Sequence, residues 1–217
     1  HLFEGYGIEL EYMIVRRDSL DILPSSDRIL QAVSGTYESE IEMGPLNWSN
    51  ELVLHVIELK TNGPASELAC LPELFQADVR CIDGILDEMG GRLLPTAIHP
   101  WMDPHAETKL WPHGYSSVYE SYNRIFGCRG HGWSNLQSMH INLPFSGDEE
   151  FGRLHAAIRL ILPLLPALAA SSPVVEGKTS GLMDPRLEYY RKNQKKVPSL
   201  TAAVIPEPYY TKSDYED

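Results

Sequence analysis

Glu9 and Glu11, two carboxylates one residue apart, sit in the run Gly7-Ile-Glu-Leu-Glu-Tyr-Met-Ile-Val15. The run alternates polar and apolar positions and is built from β-branched, aromatic and aliphatic residues, the pattern of a half-buried β-strand. Side chains two apart on a strand share a face, so Glu9 and Glu11 point one way while Ile8, Leu10, Tyr12 and Ile14 enter a core. Met13 and Val15 continue the acidic face, which is therefore only partly polar. Like charges this close repel and weaken a sheet. A cation relieves the repulsion, and paired hard oxygen ligands suit Mg²⁺ or Mn²⁺. A solvated acidic strand face is the alternative that this strand leaves open.

Two further strand patterns carry polar residues on one face. In 52–60, Leu-Val-Leu-His-Val-Ile-Glu-Leu-Lys, Glu58 and Lys60 share a face, either as a simple ion pair or as part of a site. Glu51 lies seven positions before Glu58, on the opposite face of an ideal strand. It joins Glu58 only through a bulge or from the loop before the strand. In 136–143, Leu-Gln-Ser-Met-His-Ile-Asn-Leu, Ser138, His140 and Asn142 share a face. The imidazole could complete a carboxylate metal site or hydrogen-bond a ligand. Gln137 reaches the same cleft only if the strand is twisted or bulged.

Arg124, Arg129, Arg186 and Arg191 supply guanidinium forks suited to phosphate or carboxylate, although solvation at the surface is the ordinary role of any one arginine. Arg129 precedes Gly130-His131-Gly132, a flexible loop able to close on a ligand. Trp101, Trp111 and Trp133 fall in loops, where they wall a pocket or fill a core. The chain has no P-loop, GxSxG, HExxH or dinucleotide glycine fingerprint.

These residues need a scaffold, and the 217-residue chain is long enough for one sizeable core. Its 43% hydrophobic and 22% charged residues mark an ordinary globular protein. The net charge of −12 argues against a nucleic-acid or anionic-membrane surface, while leaving room for a local basic pocket. Cys70, Cys81 and Cys128 form neither a CxxC nor an even set, so neither a disulfide framework nor a zinc site is indicated, and a reducing, cytoplasmic setting is expected. The chain opens on a strand pattern rather than a charged and apolar leader, so no signal peptide is expected. The greasy run 160–170 contains Pro163 and Pro166, is too short to span a bilayer, and reads as a buried helix.

Ser25 or Ser26 caps a helix that Ser34-Gly35 ends near Val33. Ser66 opens an amphipathic helix stopped by Gly90-Gly91, and a short strand at 92–98 leads into a Pro- and His-rich loop at 99–104. Helices are expected at 115–126 and 148–170, the latter with acids in its first turn. Residues 192–217 read as an exposed loop or lid. Strands separated by long helices without a strict βαβ rhythm predict an α+β fold with a largely antiparallel sheet.

In order along the chain, Gly7-Ile-Glu-Leu-Glu-Tyr12, Ile57-Glu-Leu-Lys-Thr61, Pro95-Thr-Ala-Ile-His-Pro100 and Gln137-Ser-Met-His-Ile-Asn-Leu-Pro144 together resemble the glutamate–cysteine ligase type 2 family. These are bacterial carboxylate–amine ligases related to γ-glutamylcysteine synthetase. Ala169-Ala-Ser-Ser-Pro173 and Gly181-Leu-Met-Asp-Pro-Arg186 extend the resemblance over essentially the whole chain. It implies a glutamine-synthetase-like catalytic fold, an antiparallel funnel with helices outside, using ATP and Mg²⁺ or Mn²⁺. It also implies glutamate and an amine, foremost cysteine, as substrates, and leaves room for a homo-oligomer.

By position, the resemblance makes Glu9, Glu11, Glu51, Glu58 and His140 metal ligands and gives Glu11 and Arg186 catalytic roles. Lys60, Arg129, Gln137, Asn142 and Arg191 would contact the nucleotide or substrate. The family's late Glu-x-Arg strand has no counterpart here, so the expectation is one catalytic domain over 1–217 lacking a downstream part, with an incomplete site. Two other readings stand beside the ligase: a non-ligating nucleotide- or metal-binding regulator, and a metal-dependent hydrolase.

Overall fold

The computed structural model describes residues 1–193, 195, 197 and 210–216. Most of the expected loop or lid at 192–217 lies outside the described residues. The opening strand, β1 (Gly7–Arg16), is followed by α1 (Ser26–Ser34), β2 (Glu40–Met43), β3 (Leu46–Asn50), β4 (Val56–Thr61), α2 (Leu71–Asp87) and β5 (Gly91–Leu94). Next come α3 (Pro104–Glu107), α4 (Ser116–Phe126), α5 (His131–Ser134), β6 (Met139–Asn142), α6 (Gly147–Ile161) and α7 (Leu165–Leu168). A small hairpin of β7 (Val174–Val175) and β8 (Lys178–Thr179) precedes α8 (Arg186–Tyr190) and α9 (Lys212–Glu216).

Six strands form one open antiparallel sheet in the order β2-β3-β4-β1-β5, with β6 also paired to β1. The mixed α/β class and the antiparallel pairing agree with the sequence reading, and the sheet does not close into a barrel. β1 is its hub: one edge pairs with β4, and the other is shared by β6 at Gly7–Leu10 and β5 at Met13–Arg16. On one sheet face Ile14, Trp48, Ile57 and Leu59 pack with Ile29 and Leu30 of α1 and Ile82 and Leu86 of α2. The opposite face carries Glu9 and Glu11, then closes over Met13 and Val15 with Ile22 and Met102.

Several boundaries shift for local reasons. β2 and β3 were not foreseen; Gly44-Pro45 forms the two-residue turn between them, with Gly44 at φ 78° supplying the left-handed first position. The strand expected over 52–60 begins only at Val56, because Val53 makes an isolated bridge to Leu110 and a turn at 54–55 follows. The long helix starts at Leu71, where Pro72 suits the first turn. Ser25 stands at the start of α1 but makes no side-chain cap; its hydroxyl donates to the Leu23 carbonyl. The strands expected over 92–98 and 136–143 shrink to β5 and β6.

The helix expected through 170 ends at Ile161, with Pro163 in the break and Pro166 in the first turn of α7. The expectation of a buried 160–170 helix is overturned: Leu168 is 80% exposed and Leu160 79%, since the described elements do not cover this side. No described helix is long and apolar enough to cross a membrane.

Trp48 ties sheet to helix, fully buried in the core while its Nε1–H donates to Asp78 Oδ2 of α2 at 2.7 Å. Trp48→Ala leaves a large cavity and an unpaired carboxylate, and should destabilise the fold by about 3–5 kcal/mol in urea unfolding.

Candidate metal centre

Antiparallel register assembles the site. Glu11 pairs with Glu58 and Glu9 with Lys60 across β1 and β4, and Glu9 pairs with His140 across β1 and β6. On the other side of β4, Glu58 faces Ser49 and Lys60 faces Asn47 of β3. Two rows of polar side chains therefore cross one face of the sheet. Glu51 follows β3 directly and enters from the β3–β4 loop, the second of the two routes open to it in the sequence.

The ligating atoms of Glu9, Glu58 and His140 lie within 4.8 Å of one another, as do those of Glu11, Glu51 and Glu58. Glu58 belongs to both groupings and is 7% exposed. Its Oε2 accepts from Ser49 Oγ at 2.8 Å and lies 3.5 Å from Lys60 Nζ, which also pairs with Glu40 at 2.8 Å. His140 Nδ1–H donates to Glu9 Oε2 at 2.7 Å; the carboxylate can only accept, so a neutral ring keeps Nε2 free as a ligand. Asn142 Nδ2 donates to Glu9 Oε1 at 2.8 Å. A Cβ at Gly7 would meet Asn142 Cβ at 3.0 Å, so glycine there keeps this approach open. Four carboxylates and one imidazole, with no thiolate, fit a hard divalent cation such as Mg²⁺ or Mn²⁺.

Electrostatics divides the cluster. Burial raises Glu11, partly offset by the Ser138 N–H bonded to its Oε2 at 2.9 Å, and its carboxyl is pushed up to about 7. Burial and the charges of Glu11 and Glu58 push Glu51 up to about 8. Burial also works upward on Glu9, but the hydrogen bonds from His140 and Asn142 and the nearby charges hold it below the ordinary carboxylate value. Lys60 loses by burial yet gains more from Glu40 and Glu58, so its ammonium is held above its ordinary value.

The remaining sequence candidates separate. Gln137 is buried just before β6, and its amide nitrogen and oxygen have no hydrogen-bond partner among the described residues. It lines a cavity of about 860 Å³ with Glu11, His140 and Arg186. Arg186 holds Asp184 through Nε at 2.7 Å and the Ala169 carbonyl through Nη2 at 2.8 Å. Arg129 is exposed, and Arg191 pairs with Glu188 at 3.0 Å; neither is brought to the carboxylates. Trp111 fills the core, Trp101 donates to Asp21, and Trp133 walls a cavity beside Glu51. Sequence reasoning missed Ser49, Asn47 and Glu40. The alternating runs on either side of Gly44-Pro45 were the signal that could have revealed them.

The antiparallel sheet thus presents two overlapping carboxylate groupings whose oxygen donors could hold a divalent cation. Residues 6–217 match Glutamate-cysteine ligase family 2 (GCS2), and the chain belongs to that family. A protein from Archaeoglobus fulgidus named "Uncharacterized protein" is 37% identical over 209 residues, covering 96% of this chain and 56% of the relative. "Putative glutamate--cysteine ligase 2-3" of Rubrobacter xylanophilus is 26% identical over 190 residues, covering 85% and 47%. "Putative glutamate--cysteine ligase 2" of Cupriavidus metallidurans is 29% identical over 188 residues, covering 84% and 46%. The chain spans about half the length of these curated relatives.

Glu11 and Glu51 fix the sign of a pH effect. With folded values near 7 and 8 against an ordinary 4.5, the folded state holds protons that the unfolded chain has released. This contribution to stability is full below the ordinary value and is lost as pH rises through the raised ones. Thermal melts without divalent cation should show the melting temperature falling between about pH 4.5 and 8. Added Mg²⁺ should restore it at the upper end, because the cation binds the ionised form. Glu51→Gln should raise the cation-free melting temperature at pH 8 and diminish the Mg²⁺ response.

Proposed function

We propose that the protein is an ATP- and Mg²⁺-dependent carboxylate–amine ligase of glutamine-synthetase-like fold. It would join glutamate to an amine, with cysteine the acceptor that the relatives' names carry. The observation behind this reading is the pair of carboxylate groupings that share Glu58 on one sheet face. Family membership supports a ligase task for those groupings, and three unpaired cysteines suit a cytoplasmic setting.

The chemistry has two steps. A γ-carboxylate oxygen of glutamate attacks the γ-phosphorus of ATP, the bond to the bridging oxygen breaks, and ADP departs. The amine nitrogen then attacks the acyl carbon, the carbon–oxygen bond to phosphate breaks, and the amine gives up a proton as the amide forms. The first step brings anion to anion, and divalent cations held by Glu9, Glu58 and His140 and by Glu11, Glu51 and Glu58 would neutralise that charge.

The rest falls to the chain's own groups. Lys60 lines a cavity of about 380 Å³ with Gly5, Gly7, Gly63, Asn142 and the Glu9 carboxylate, a glycine-edged opening in which the ammonium could meet a phosphate. The same ammonium reaches a second cavity of about 670 Å³ that Glu38, Glu40, Glu51 and Glu58 also line, so bound cations would have to offset their charge before a glutamate carboxylate entered there. Arg186 supplies a further cation in the cavity that reaches Glu11.

A coupled ADP-release assay with glutamate and a panel of amines tests the proposal. Release should require both glutamate and an amine, and Glu58→Gln should lower kcat/KM by at least about 100-fold, since one change damages both cation groupings. Phosphate release that needs no amine would favour the hydrolase reading. A Glu58→Gln variant as active as the parent would remove the metal centre from the chemistry.

A further inference from the structure

We infer that Asn135 is a positioning residue for cation binding: it fixes the segment whose Ser138 holds Glu11 in the carboxylate cluster. The inference rests on the divalent-cation part of the reading above, and neither on ATP nor on the identity of the amine.

Glu11 occupies a break in the sheet. Along one edge of β1, β6 pairs with Gly7–Leu10 and β5 with Met13–Arg16, so Glu11 and Tyr12 fall between the two ladders. A backbone N–H in such a gap needs a partner from elsewhere. Ser138 supplies it, its carbonyl accepting the Glu11 N–H at 3.1 Å. The N–H of the same residue donates to Glu11 Oε2 at 2.9 Å. One residue therefore holds both the backbone and the carboxylate of Glu11. The place of that carboxylate beside Glu51 and Glu58 follows the place of Ser138.

Ser138 is held in turn by a splice between the segment after β5 and the segment before β6. The Gln137 N–H donates to the Ala97 carbonyl at 2.9 Å. Two residues earlier, Asn135 uses its side chain as a peptide group would. Its Oδ1 accepts the His99 N–H at 2.8 Å, and its Nδ2 donates to the His99 carbonyl at 3.3 Å. The second Nδ2 hydrogen goes to His131 Nδ1 at 2.9 Å. Asn135 and His99 are both fully buried, so removing the amide leaves groups that water does not reach. His55 Nε2 and Thr108 Oγ1 anchor Ser134, at the far end of the same segment. Asn135 is the side chain that ties the two segments together three residues before Ser138. Metal ligands work only when held within about 0.5 Å of their productive place, and this tie sets the place of Glu11.

Mn²⁺ binding, read from the EPR signal of the free ion, tests the inference in a double-mutant cycle with Glu11→Gln. Asn135→Ala should weaken Mn²⁺ binding by about tenfold or more, as loss of a group that orients a ligand does. In a Glu11→Gln background the same change should cost less than about threefold, because the carboxylate it positions is gone. A role in the fold alone would weaken binding equally in both backgrounds. Asn135→Asp keeps Oδ1 on the His99 N–H but loses both Nδ2 bonds. It should show the same dependence on Glu11, and it serves if the alanine variant does not fold. Equal losses in the two backgrounds, or Asn135 variants that bind Mn²⁺ as the parent does, overturn the inference and leave the cation reading standing. A parent that does not bind Mn²⁺ removes the cation reading and this inference together, a failure visible before any Asn135 variant is made.

Discussion

The register between β1 and β4 is the constraint on which the site depends. Pairing Glu11 with Glu58 and Glu9 with Lys60 stacks three carboxylates and an ammonium on one face while Ile14, Ile57 and Leu59 fill the other. A slip of one residue would exchange the faces, driving the carboxylates into the core and the aliphatic residues into the cleft. The apolar face thus enforces the register, and the register makes the polar face. Packing of Ile57, Leu59 and Trp48 against α1 and α2 is consequently part of building the carboxylate cluster, although none of these side chains belongs to it.

Without a cation the same arrangement opposes folding. Glu11, Glu51 and Glu58 crowd together, and burial with mutual repulsion keeps the first two carboxyls far above the ordinary range. Strain of this kind persists only where the surroundings hold it, and it favours whatever neutralises it. Lys60 supplies part of that neutralisation but divides itself between Glu40 and Glu58. Protonation and stability are therefore linked through one set of carboxylates.

A second, quieter device holds the loop before β6. His55 is buried and pushed down to about 4, hence neutral, and its Nε2–H donates to the Ser134 carbonyl at 2.7 Å. Asn135 accepts the His99 N–H at 2.8 Å and donates to His131 Nδ1 at 2.9 Å. These bonds fix the segment that ends at Ser138, whose backbone both bonds Glu11 Oε2 and accepts the Glu11 N–H at 3.1 Å. Buried polar groups that satisfy one another rigidify a segment, and here the rigidity is passed to the Glu11 carboxylate.

Much of this was legible from residue order. Strand alternation determined that Glu9 with Glu11, Glu58 with Lys60, and His140 with Asn142 each share a face, because a pleat has period two whatever surrounds it. Local signals likewise set the end of α1, through Gly35, whereas α2 begins at Leu71 and not at the expected Ser66. The sequence could not determine which strands are neighbours. β3 was missed because its residues, Leu46-Asn-Trp-Ser-Asn50, become buried only through β2 and β4, and with it went Ser49 and the entry of Glu51 from a loop. The 160–170 run was read as buried from composition alone, but burial is a property of what packs above a residue. Faces follow from covalent geometry. Meeting points, raised carboxyl values and the hold on Ser138 follow from long-range pairing, which no window of the sequence contains.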